Sequence, residues 1–191
     1  MELLEKRILA DGKAIDKDVL LVDSFLNNNV DPKLMQAIGN EFAAKFASDG
    51  ITKVVTIESS GISPAVFAAL ALGVDMVIMK KAKSRILNSD TVETQVFSFT
   101  KNSEYTLTLK KKFIKEGERV LLIDDFLANG EAALGAARLL KECGATIAGM
   151  GMVITKSFMP GLAKLKEAGY KVVSLASVSK MDTDTIEFAE E

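Results

Sequence analysis

The sequence predicts an α/β protein: a parallel β-sheet covered by helices on both faces. Short aliphatic runs recur at TKVVTI (52–57), VDMVIM (74–79), RVLLID (119–124), AGMGMVIT (148–155) and YKVVSLA (170–176). They lack the alternation of a half-exposed strand, which is the pattern of strands buried on both faces. Between them lie helical stretches, PAVFAALALG (64–73), EAALGAARLLKECG (131–144) and PGLAKLKEAG (160–169), each stopped by or close to a glycine. Strands alternating with helices wind a parallel sheet. At 191 residues, 48% hydrophobic and 26% charged, the chain is long enough to bury one proper core.

The elements follow in order. Residues 1–10 read as a helix. Asp31 is placed to cap a second one over 31–48, with Pro32 at its first position, Leu34, Ile38, Phe42 and Phe46 recurring every four residues, and Gly50 as its stop. Strand 52–57, helix 64–73 and strand 74–79 come next. Segment 80–91, KKAKSRILNSDT, is polar, basic and without period. VETQVFSF (92–99) and EYTLTLK (104–110) alternate as the two arms of a hairpin joined by TKNS. Strand 119–124, helix 131–144, strand 148–155, helix 160–169 and strand 170–176 complete the series.

Composition excludes much chemistry. The chain has no histidine, which removes His-containing zinc sites, Ser-His and Cys-His hydrolases and imidazole bases. Its one cysteine, Cys143, allows no internal disulfide and suits a reducing compartment. A net charge of −2 argues against a large nucleic-acid footprint. The amphipathic start, MELLEKRILADGKAI, lacks the apolar stretch of about seven to fifteen residues that a signal peptide needs. No window approaches the roughly eighteen apolar residues of a membrane span. A cytoplasmic protein without membrane or nucleic-acid partners is expected.

In parallel sheets ligands bind beyond the carboxyl ends of the strands, so the exits at 58–61, 80–83, 124–130 and 155–158 matter most. The richest is VLLIDDFLANGEAALG (120–135). A strand, a turn and a helix N-terminus together favour an anion, through turn N–H groups and the helix dipole. The lysine and spacing of a Walker A loop are absent, and so are the glycines of a dinucleotide fingerprint. Asp124 and Asp125 just upstream can accept hydrogen bonds from vicinal hydroxyls, so the pair beside the turn suits a ribose 5-phosphate. A loop with two solvated aspartates remains the alternative. At ESSG (58–61) small residues permit close backbone approach to an anion. The alternative there is an ordinary turn, with Ser63 as cap and Pro64 first in the helix.

The stretch 120–135 resembles the phosphoribosyl diphosphate (PRPP) motif of type I phosphoribosyltransferases. VDSFLNN (22–28), SSGISPAV (59–66), IDDFLANG (123–130) and VITKSFMPG (153–161) together resemble the bacterial xanthine phosphoribosyltransferase family, and the likeness runs through nearly the whole chain. It implies a type I sheet flanked by helices, a flexible hairpin loop and a small hood. The chain is then one domain, 1–191, with its core across about 50–157 and its hood from 1–49 and 158–191. By that resemblance Ala128, Asn129, Gly130, Glu131 and Ala132 hold the 5-phosphate of PRPP. Asp124 and Asp125 line the ribose as the catalytic pair. Ser59, Ser60 and Gly61 form the pyrophosphate loop, with Lys81 as a cation for the leaving group. Leu20, Asn27 and Lys156 recognise xanthine, and Phe126 lies against the purine face. Magnesium arrives on PRPP and needs no all-protein cage. A homodimer is expected.

The turn departs from the wider superfamily, which often carries Thr-Gly-Gly-Thr where this chain has Asn-Gly-Glu-Ala; the xanthine family usually has glutamine at Glu131. That acid is expected to point to solvent from the first turn of its helix. Three alternatives to xanthine transfer remain: the same chemistry on guanine or adenine, a non-catalytic PRPP-binding regulator, and a flavodoxin-like phosphate-binding module, which would leave the hairpin and VDSFLNN unexplained. A lysine aimed at C2 of the base disfavours adenine, and no basic recognition helix suggests a regulator.

Overall fold

The computed structural model describes residues 1–82, 90–98, 103–183 and 185–189. Lys83 of the basic run, the stretch 84–89 and most of the predicted TKNS turn lie outside them. Helix α1 (Glu2–Asp11) leads into a two-residue ladder, β1 (Lys13–Ala14) with β2 (Leu20–Leu21). A short π-helical segment covers Asp23–Asn27. Then follow α2 (Pro32–Lys45), β3 (Lys53–Ile57), α3 (Ile62–Leu72), β4 (Asp75–Met79), the hairpin β5 (Thr91–Ser98) and β6 (Ser103–Lys110), β7 (Arg119–Leu127), α4 (Glu131–Glu142), β8 (Thr146–Lys156), α5 (Gly161–Glu167), β9 (Val172–Asp182) and β10 (Thr185–Phe188).

Among the described residues β3, β4 and β7 to β10 form one six-stranded sheet in the order β10-β9-β8-β7-β3-β4. All its pairs are parallel except β10 on β9. The α/β class read from the sequence is the class observed. Sequence reading gave no sign of β10, and it ended β7 at Asp124, three residues short of Leu127.

Two apolar cores sandwich the sheet, and strand parity assigns residues to them. Along β7, Leu121 and Ile123 face α1, α2 and α3, whereas Val120 and Leu122 face α4, α5 and the hairpin. Asp31 caps α2 as expected, its Oδ1 accepting from the N–H groups of Lys33 and Leu34 at 3.1 Å each. The predicted stripe of α2, Leu34, Ile38 and Phe42, is buried, as is Phe46 just beyond it.

The texture GMGM in β8 has a packing cause. Met150 and Met152 fill the α4 side. On the other side a Cβ on Gly149 would stand 2.2 Å from the Phe46 ring, and one on Gly151 would stand 2.7 Å from the Phe42 ring. Both rings are fully buried and cannot withdraw into solvent. Gly149→Ala is therefore expected to cost about 1–3 kcal/mol of stability by overpacking. Thermal unfolding checks this, and a melting temperature equal to wild type would contradict it.

Candidate active site

The topology makes a crevice at one place. From β3 the chain builds β4 on one side, then crosses back through the hairpin to place β7 on the other. Strand order reverses between β3 and β7, the position at which open α/β sheets bind ligands. Pairing of β7 to β3 runs only to Ile123, while pairing to β8 continues to Leu127. Past Ile123 the two strands have parted, and the next residues are Asp124 and Asp125. The acids thus lie within a strand paired on one side and open on the other.

An open cavity of about 210 Å³ lies there, lined by Lys81, Asp124, Asp125, Phe126, the whole turn Ala128–Ala132 and the hairpin residues Phe97, Ser98 and Tyr105. The backbone N–H of Asp125 donates to Asp124 Oδ1 at 3.1 Å. Burial first, then the neighbouring Asp125 carboxyl, push the Asp124 carboxyl well above the usual range; the Lys81 ammonium pulls the other way. Tyr105 is pushed up to about 12, by burial and then by the Asp124 charge. Its ring lies 5.7 Å from the Lys81 ammonium, within cation–π range. The cavity thus sets two carboxylates beside an ammonium, an arrangement suited to a hydroxylated ligand.

The turn after β7 is shaped for an anion. Gly130 takes φ +83°, a conformation open to glycine at little cost, and serves as N-cap of α4 with no side-chain cap hydrogen bond. Among the described residues no partner takes the first N–H groups of α4, which suits them to an anionic ligand. Helix α5 backs the turn: Gly161 N–H donates to the Ala128 carbonyl at 2.8 Å, and a Cβ on Gly161 would lie 2.3 Å from that oxygen. Glu131 does not simply face solvent. Its Oε1 is paired with Lys164 Nζ at 2.7 Å, a partner 33 residues away on α5.

The exits of β3 and β4 are tied together beside the acids. Glu58 Oε1 accepts from Lys81 N–H at 2.6 Å, and Glu58 Oε2 pairs with Lys80 Nζ at 3.0 Å. Lys80 also exchanges backbone hydrogen bonds with Thr108 of the hairpin at 3.0 and 2.9 Å. Ser59, Ser60 and Gly61 occupy the turn between β3 and α3, and a Cβ on Gly61 would come 3.1 Å from Asp124 Oδ1. The alternative cap at Ser63 is not what forms: Gly61 is the N-cap of α3 and Pro64 its third residue. Steric clash bars Pro64 only from the helix interior, so the first turn accepts it.

Of the remaining predicted residues, Lys156 lies against Phe126, while Leu20 and Asn27 belong to β2 and the π-helical turn near the N-terminus. Lys156, at the end of β8, places its ammonium 5.4 Å from the Phe126 ring centroid and donates to the Asp18 carbonyl. Burial lowers Lys156 from the usual lysine value, and the charges of Asp18 and Asp16 partly restore it. Leu20 is buried in β2, two residues after Asp18. Asn27 ends the π-helical segment, and its Oδ1 is buried without a hydrogen-bond partner among the described residues. An orphaned buried acceptor is costly and awaits a donor. π-Helical turns concentrate at functional positions.

Sequence reasoning missed Glu58, Tyr105, Gly161, Lys164 and the Asp16–Asp18 loop. Tyr105 carried a faint signal, as the aromatic head of the row it shares with Leu107 and Leu109. The Pro160–Gly161 pair at a helix start carried another. The partnerships of Glu58 and Lys164 cross long stretches of chain and have no local pattern.

A model of the phosphoribosyl transferase domain matches residues 27–189. Xanthine phosphoribosyltransferase 1 of Clostridium botulinum is 57% identical over 98% of this chain and 99% of its own. Xanthine phosphoribosyltransferases of Clostridium acetobutylicum and Bacillus cereus are 56% and 50% identical, each over at least 97% of both chains. Among solved structures, adenine phosphoribosyltransferase from Thermoanaerobacter pseudethanolicus aligns with TM-score 0.75 at 21% identity, covering 91% of this chain and 99% of that one. The enzyme from Saccharomyces cerevisiae aligns with TM-score 0.73 at 22% identity, covering 92% and 99%. Those structures share the fold, and the sequence relatives align with this chain over nearly its whole length and theirs, with half or more of the residues identical. With a cavity that sets two acids against an uncapped helix N-terminus, the chain belongs to the phosphoribosyltransferase family, in its xanthine phosphoribosyltransferase branch.

Proposed function

We propose that the protein transfers the 5-phosphoribosyl group of PRPP to xanthine, releasing pyrophosphate and xanthosine 5′-phosphate. The observation that carries this is the continuity of one site. The acids and the uncapped turn 128–132 line one cavity, and Phe126 links that cavity to the Lys156 ammonium.

Bound there, the 5-phosphate takes the free N–H groups of the turn from Ala128 to Ala132. Asp124 and Asp125 accept hydrogen bonds from the ribose hydroxyls and stabilise positive charge developing on the ring. Ser59, Ser60 and Gly61 offer backbone to the pyrophosphate, and Lys81 neutralises it. Magnesium fits this site as a passenger on PRPP, since Asp124 and Asp125 line the cavity as oxygen donors and the ion prefers phosphate and water to an all-protein cage. When bound it supplies charge neutralisation on the pyrophosphate. Phe126 stacks on the purine. Lys156 donates to the C2 carbonyl of xanthine, Asn27 supplies its unpaired acceptor to a ring N–H, and Leu20 contributes backbone polar groups. A lysine donates and cannot accept, so it favours a carbonyl at C2 over the amine of guanine.

On this reading 1–49 and 158–191 form the hood over the base. The protein works in the cytoplasm as a homodimer, in keeping with exposed Val66 and Leu70 along α3 and a free Cys143. Among the described residues no helix is long and apolar enough to cross a membrane.

Incubation with PRPP, magnesium and xanthine tests the proposal. Xanthosine 5′-phosphate and pyrophosphate are expected in equal amounts, with formation halted by chelation. PRPP binding without pyrophosphate release in the presence of any purine would overturn the enzyme reading and favour a PRPP sensor.

A further inference from the structure

Glu131 is the first residue of α4 and lines the cavity. A carboxylate there has two attractive places to go, the free N–H groups of its own helix and the positive end of the helix dipole. Either would set an anion where the phosphate must sit. Yet the Glu131 carboxylate is held at 2.7 Å by Lys164 Nζ of α5 instead. Lys164 can reach it because α5 begins against the same turn, through the Gly161 to Ala128 hydrogen bond at 2.8 Å. The pair is partly exposed, at 39% for Lys164 and 31% for Glu131, so it adds little to stability and is better read through its effect on charge.

We propose that Lys164 is a positioning residue for PRPP: it neutralises Glu131 and draws that carboxylate off the α4 N-terminus, leaving the N–H groups free for the 5-phosphate. This rests on reading 128–132 as the phosphate cradle. It also specifies how this chain accommodates an acid in that turn. The helix dipole and backbone donors remain the phosphate ligands, and Lys164 acts only through Glu131.

Steady-state kinetics on Lys164→Met, Glu131→Gln and the double variant test the proposal. Lys164→Met is expected to raise KM for PRPP about tenfold or more while kcat stays within about threefold, because like charges are brought together in the ground state. Added salt should shrink that deficit by screening. The double variant should return KM to within about threefold of Glu131→Gln alone, since without the carboxylate Lys164 has nothing to offset. A double variant as impaired as Lys164→Met, or a Lys164→Met protein with unchanged KM, would overturn the inference while leaving wild-type turnover, and so the functional reading, intact. Wild-type protein that neither binds nor consumes PRPP would overturn both.

Discussion

Asp124→Asn is expected to raise the melting temperature at neutral pH while lowering kcat by about 100- to 1000-fold, the range for removing one preorganised group from a developing charge. The stability gain follows from linkage. The folded protein raises the Asp124 pKa through burial and Asp125, so it holds that proton more tightly than the unfolded chain does. A carboxyl of this kind helps the fold at low pH, and the help is lost as pH rises from the unfolded value of about 3.9 through the raised folded value. At pH 7 the fold bears that loss, and the amide removes it while still accepting from the Asp125 N–H. Each kcal/mol recovered raises the melting temperature by about 2–4 °C in a domain of this size. Wild type and variant should converge below about pH 4, where the acid is protonated in both states. The same ionisation gives wild-type kcat/KM for PRPP an acidic limb that rises with pH through the raised Asp124 pKa, and the variant should lack it. Full turnover by the variant, or a lower melting temperature at pH 7, would contradict this account of the acids.

Lys156→Ala is expected to lower kcat/KM for xanthine by about 10- to 150-fold, the worth of one hydrogen bond to a charged donor at about 1.5–3 kcal/mol. The loss should be selective. Hypoxanthine lacks the C2 carbonyl and should lose much less, so the preference for xanthine over hypoxanthine collapses by nearly the same factor. Lys156 is poised for this role, since burial and the Phe126 ring leave the Asp18 carbonyl as its hydrogen-bond acceptor. A xanthine carbonyl can replace that backbone oxygen like for like. Parallel kinetics on both bases decide the matter, and an equal loss for both would reassign Lys156 to holding the Asp16–Asp18 loop.

Much of the fold was legible because parallel strands and their helices are written in local pattern. The aliphatic runs gave every strand of the parallel sheet, and the fourfold spacing of Leu34, Ile38, Phe42 and Phe46 gave α2. The acids and the turn were legible for the same reason, being contiguous in IDDFLANGEA. What stayed hidden depends on residues far apart in sequence. Among the described residues the extension of β7 past Asp124 is paired with β8, through partners such as Ile154 and Thr155. The fate of Glu131 is decided by Lys164, and the setting of Lys81 by Glu58. The buried, unpartnered Oδ1 of Asn27 sits at the end of a π-helical turn that no periodicity announces.

The most direct measurement of the central claim is a competition. Xanthine, guanine, hypoxanthine and adenine are offered at equal concentration in one reaction with limiting PRPP and magnesium, and the nucleotides formed are separated. Predominant xanthosine 5′-phosphate is the predicted result, since the product ratio reports kcat/KM directly. Predominance of another nucleotide would contradict the base site built on Lys156, Asn27 and Phe126, and no nucleotide at all would contradict the transferase itself.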